Sequence, residues 1–237
     1  MSHVAWNAVT PHLCTTRRVI AFDIAGFGST PALPHGTPPT IAHLVDGFDR
    51  SIRELGIEVP VDIAGNSLGG GMALEAAKRG LARSVVAISP IGLWKEHPAG
   101  HVKYVFGGLR FMVTTFPVLV KATMRVPLLR ELALAVPMSM DSRRMPASDA
   151  VRVVDDLAAS LAFEETFDHT RAPFSGAGIA VPVTVAFGEC DWILTRGSRR
   201  RTELPPHTNW VTPPGWGHVP MWVDPAGVSR LILEGTR

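Results

Sequence analysis

The chain has 237 residues, 46% hydrophobic and 19% charged, which fits one core-bearing domain, with or without an inserted lid, and excludes a disordered chain. Its formal net charge of +2 is too small to imply a nucleic-acid partner. Cys14 and Cys190 lie far apart without metal-ligand spacing, so no disulfide framework is expected and the cytoplasm is the default location.

The N-terminus lacks the basic-then-apolar pattern of a secretory leader. The most apolar region, Val105 to Met138, is broken by Arg110, Lys121, Arg125, Arg130 and several prolines. None of its runs reaches the roughly 18–20 apolar residues of a membrane span.

Taken in order, Ser2 to Leu13 reads as a short amphipathic segment with Val4, Trp6, Val9 and Leu13 on its apolar side. Arg18–Ile24 is a nearly continuous apolar run and predicts a strand buried on both faces of a parallel sheet. Gly26 and Gly28 follow it, but no third glycine and no helix come next, so a dinucleotide loop is excluded. Thr40 is placed to cap a helix carrying Ile41, Leu44, Val45, Phe48, Ile52 and Leu55.

The next stretch is the most informative. Val59 to Ala64 predicts a strand, Gly65-Asn66-Ser67-Leu68-Gly69 surrounds one serine with small residues, and Met72 to Lys78 predicts a helix. Glycine two before and two after a serine, between strand and helix, is the nucleophile-elbow pattern. A strand turning directly into a helix strains the central backbone, so Cβ groups at the flanking positions are expected to collide. The turn presents the hydroxyl at a helix N-terminus, where free N–H groups favour developing negative charge.

Arg83–Ser89 predicts another buried strand, and the alternation of strand and helix calls for a parallel sheet. From Ile91 to Gly178 helical segments punctuated by Pro117, Pro127, Pro137 and Pro146 replace the strands. They predict a helical cap at residues 91–178, set into an α/β core formed by residues 1–90 and 179–237. Val181–Phe187 is a strand leading into Gly188-Glu189-Cys190-Asp191. A helix is expected from about Arg196, with Arg196, Arg199, Arg200 and Arg201 as its solvated face. A short strand Asn209–Thr212, then Gly217-His218-Val219-Pro220 and a helix from Pro225 to about Glu234 complete the pattern.

Ser67, Asp191 and His218 thus fall after successive strands, on the edge where open α/β sheets bind ligands. With Asp23-x-x-Gly26-x-Gly28, Gly188-x-x-Asp191 and Gly217-His218-x-Pro220, the chain resembles the α/β-hydrolase superfamily from Ser2 to its end. The resemblance implies a serine nucleophile, His218 as base, Asp191 as its orienting acid, and the Leu68 N–H as an oxyanion donor. Glu189 is a weaker candidate acid and His207 a weaker candidate base. Asp62, Asp23, Asp224 and Cys190 read as structural.

The elbow is similar both to hydrolases that cleave carbon–carbon bonds of ring-fission products and to general esterases. A serine at this position argues against haloalkane dehalogenases and epoxide hydrolases, which resemble this fold but use aspartate there. The expected substrate is a small apolar ester or related carbonyl compound, with no metal or organic cofactor. The family's first strands, and the His-Gly loop that supplies its second oxyanion donor, have no match here. The expectation is therefore a fragment or a start downstream of the true one, with a strand lacking between Arg18–Ile24 and Pro60–Ala64, the alternative being a naturally shortened paralogue folded differently at its N-terminus and weakly active or inactive. A non-catalytic hydrolase-fold binding protein is the reading from a different class.

Overall fold

The computed structural model describes residues 2–236. Among them four parallel strands form one sheet in chain order: β1 Val61–Asn66, β2 Ala82–Ile88, β3 Val183–Ala186 and β4 Asn209–Val211. Parallel neighbours need crossovers. Helix α3, Leu68–Lys78, makes the first, and helices α4 Gly100–Thr115, α5 Pro117–Arg125, α6 Pro127–Leu134, α7 Ala147–Ala159 and α8 Phe163–His169 lie in the second. Ahead of the sheet come α1, Thr10–Leu13, and α2, Ile41–Glu54; α9, Pro225–Gly235, follows it.

The apolar runs of β2 and β3 are explained by burial on both faces. Val85, Ala87, Val183 and Val185 pack with Ala73 and Leu74 of α3. Val86, Ile88 and Ala186 point the other way, toward Val228 and Leu231 of α9 and toward Val4, Val9 and Leu13. Thr40 caps α2 as expected, its hydroxyl accepting from the His43 N–H at 3.2 Å. Pro117 and Pro127 open α5 and α6, where a missing N–H costs nothing. Behind them the buried Arg130 guanidinium donates to the carbonyls of Met124, Ser142 and Arg143, which tie α5, α6 and the next turn together.

Two expected elements do not form. Arg18–Ile24 belongs to no ladder, although its sequence suits a strand. A strand exists only beside another, and β1 pairs on its β2 side alone. Its other edge faces a cavity of about 510 Å³, with Val19, Ile20 and Phe22 on one wall and Ile63, Ala64 and Asn66 on the other. Ser67 N–H donates toward β2, to the Ile88 carbonyl, so by alternation the amides of Ala64 and Asn66 point toward this cavity. Asp23, at the end of the segment, takes the backbone N–H groups of His3 and Ser29 instead.

The helix expected from Arg196 is only two 3₁₀ turns, Arg196–Ser198 and Arg201–Glu203. Tertiary contacts outcompete local propensity here. Arg200 N–H donates to the Leu93 carbonyl, and Arg199 turns inward to donate to the Leu194 carbonyl while lying over the Phe187 ring. The basic cluster is therefore not one solvated helix face.

Candidate active site

At the end of β1, Ser67 has φ 55° and ψ −115°, a left-handed backbone rarely adopted by residues with a side chain. The turn is over-determined by its neighbours. A Cβ at position 65 would sit 2.1 Å from the Gly69 carbonyl oxygen, so only glycine fits there. A Cβ at position 69 would meet nothing within 4 Å, so the second flanking glycine is not demanded by space. Ser67 N–H donates to the Ile88 carbonyl at 2.9 Å, while its own carbonyl accepts from Gly71 and Ile91. Among the described residues nothing accepts from the Leu68 N–H, which stands free at the start of α3.

Asp191 follows β3 and is 5% exposed. Its Oδ1 accepts from the N–H groups of Ile193 and Leu194, at 3.0 and 2.9 Å, which leaves Oδ2 aimed at His218. Burial alone would raise this carboxyl, but the hydrogen bond and charge of His218 and the Leu194 N–H outweigh it and hold it below its ordinary 3.8. Gly188 allows the strand end to approach the histidine loop, since a Cβ there would lie 2.1 Å from the Trp216 carbonyl oxygen.

His218 is held by its backbone from two sides. Asn66 Nδ2 donates to the His218 carbonyl at 2.8 Å. From the helical region, the Met138 carbonyl accepts from Val219 N–H, and buried Ser139 accepts from Gly217 N–H while donating to the Val219 carbonyl. The ring then lies with Nδ1 3.1 Å from Asp191 Oδ2 and Nε2 3.0 Å from Ser67 Oγ. A carboxylate only accepts, so Nδ1 carries the proton and donates to it. The lone pair of Nε2 is left to accept from the Ser67 hydroxyl.

Comparison with known proteins gives this arrangement a family. A model described as "Alpha/beta hydrolase family" matches residues 1–231. The chain belongs to that family. It is 31% identical over 212 residues to the epoxide hydrolase EphH of Mycobacterium tuberculosis, covering 81% of this chain and 93% of that protein. A shorter likeness, 38% over 77 residues, is to 2-hydroxy-6-oxo-2,4-heptadienoate hydrolase of Pseudomonas putida and covers 31% of this chain and 26% of that one. A meta-cleavage product hydrolase of Pseudomonas fluorescens IP01 superposes with a TM-score of 0.73 at 20% identity, over 98% of this chain and 84% of its own. At that identity the superposition speaks for the α/β-hydrolase fold alone.

In this member of the family the weaker candidates lie elsewhere. Glu189 accepts from the Gly215 N–H, and His207 meets the Val181 carbonyl. Asp62 pairs with Arg83 and Ser84, Asp224 caps α9, and Cys190 is half-buried. Two residues that hold the site were not found from sequence. Asn66 stood inside the elbow but suggested no task, and Ser139 lies about eighty positions from the loop it holds.

Proposed function

We propose that this α/β-hydrolase is a serine hydrolase acting on a carbonyl substrate, an ester in the first instance. The observation carrying the proposal is the unbroken contact from Asp191 through His218 to Ser67, at 3.1 and 3.0 Å. Ser67 Oγ attacks the carbonyl carbon as His218 Nε2 takes its proton. Asp191 stabilises the imidazolium, and the Leu68 N–H faces the oxyanion. His218 then protonates the departing alkoxide as the carbon–oxygen bond breaks. Water, activated by the same nitrogen, releases the acid and restores Ser67.

The name of the Mycobacterium tuberculosis relative does not transfer easily to this serine. A carboxylate that opens an epoxide forms an ester, which water can hydrolyse. Serine attacking the same carbon would form an ether, which leaves no acyl group for water to attack. The apolar helical region between β2 and β3 favours a small apolar substrate.

Cleavage of a carbon–carbon bond beside a carbonyl is a second reading, favoured by the likeness to the Pseudomonas putida hydrolase. A non-catalytic binding role is favoured by one observation, the cavity along the flank of the elbow that carries Asn66 and Gly69. Assay of p-nitrophenyl acetate to octanoate, a ring-fission dienoate and styrene oxide separates these readings. Ester or dienoate turnover that vanishes in Ser67→Ala is expected. Styrene oxide turnover with inert esters, or ester turnover surviving in Ser67→Ala, would overturn the proposal.

A further inference from the structure

Helices α4, α5 and α6 present an unusual surface. α5 buries Met124 and half-buries Val120, which packs against the core, while Val118 is 82% and Leu119 61% exposed. α6 buries Arg130 and Leu134 and turns Leu128 and Leu132 out, at 67% and 71% exposure. At the junction of α4 and α5 the rings of Phe111 and Phe116 meet edge to face, 6.2 Å apart and both exposed. Scattered apolar residues on a surface are ordinary, but three consecutive helices exposing large ones are not.

Along these helices cations outnumber carboxylates, and two of the cations, Arg110 and Lys121, pair with Glu164 of α8 and Asp155 of α7. Residues 100–140 hold five of the 23 Lys and Arg but only one of the 21 Asp and Glu, so this stretch carries +4 and the rest of the chain −2. The single carboxylate, Glu131, is occupied by the backbone N–H groups of Asp141 and Arg143. Among the described residues Lys103 and Arg125 are exposed and make no ion pair. Exposed apolar side chains with unpaired cations beside them match the acyl boundary and headgroups of an anionic bilayer. The helices do not suit a span. No single helix among the described residues is long and apolar enough, and α4 and α5 are bent 103° apart.

We infer that the α4–α6 face docks on the surface of an anionic phospholipid bilayer without crossing it. Docking there would bring the region that holds the His218 loop, through Met138 and Ser139, close to a membrane-dissolved substrate. The inference does not depend on what Ser67 attacks, because its readout is binding.

Flotation of the full chain with extruded vesicles tests it, using phosphatidylcholine alone and phosphatidylcholine with phosphatidylglycerol at about 7:3. The expected result is binding to the anionic vesicles only, released by high salt. A Val118→Glu, Leu128→Glu, Leu132→Glu variant should lose that binding by at least about tenfold, as should Lys103→Glu with Arg125→Glu. All three residues of the first variant are exposed, and circular dichroism would check that it is folded. Three results would overturn the inference: no binding to either vesicle, equal binding by the parent and both variants, or a soluble dimer that the variants turn into monomers. The last would make this face a contact between copies.

Discussion

The two flanks of β1 differ in how they are built. On one side β2 pairs along the whole strand, Val85 to Ile88 are wholly buried, and the loops carrying Asp191 and His218 are bonded into place. On the other side the strand edge and the Arg18–Ile24 segment line a cavity open to solvent, and no ladder joins them. Ser67 stands at the boundary. Its contact with His218, and that of His218 with Asp191, belong to the closed flank. The difference teaches that in this chain the contacts joining Ser67, His218 and Asp191 form without a second ladder beside β1.

The largest effect expected on the closed flank is chemical. Asp191→Asn should lower kcat/KM by about 10⁴, because an amide can donate to Nδ1 and favours the wrong tautomer. A loss under about tenfold, measured on whichever ester proves best, would mean that the pair only supports structure.

Packing should separate the flanks next. Leu74→Ala, wholly buried against β2, should cost about 2–5 kcal/mol, whereas Ile20→Ala, 39% exposed at the cavity, should cost less than about 1 kcal/mol in urea unfolding. Equal costs would show the open flank to be packed in solution.

The smallest contrast is in acid. Asp23, by the open flank, and Asp191, on the closed one, are both held below their ordinary 3.8, against burial that alone would raise them. The N–H groups of Ser29 and His3 lower the first, and the hydrogen bond from His218 lowers the second. Each therefore contributes stability that is complete above pH 3.8 and is lost as pH falls through the lower folded value. Asp23→Asn and Asp191→Asn should each flatten the acid limb of a stability–pH curve, the more buried Asp191 by more. A limb unchanged in both variants would remove these carboxylates from the account.

How much was legible in sequence follows the same division. The elbow, the Thr40 cap and the strand at Val85 were readable because local spacing determines them. The order serine, aspartate, histidine pointed to three side chains that the fold brings together, because each residue follows a strand with its own glycine signal. Arg18–Ile24 was misread because a strand requires a neighbour that its own sequence cannot supply. The segment after Thr195 was misread because Arg199 and Arg200 find partners in Gly188–Leu194 and Leu93 rather than in a helix. Ser139 could not be found at all, since its contact with the histidine loop exists only after folding.

The most direct test of the central claim is labelling of the chain by a fluorophosphonate, which reacts only with an activated serine. Labelling of the parent that disappears in both Ser67→Ala and His218→Ala is the predicted result. A folded parent that does not label, or labelling that survives in Ser67→Ala, would contradict it.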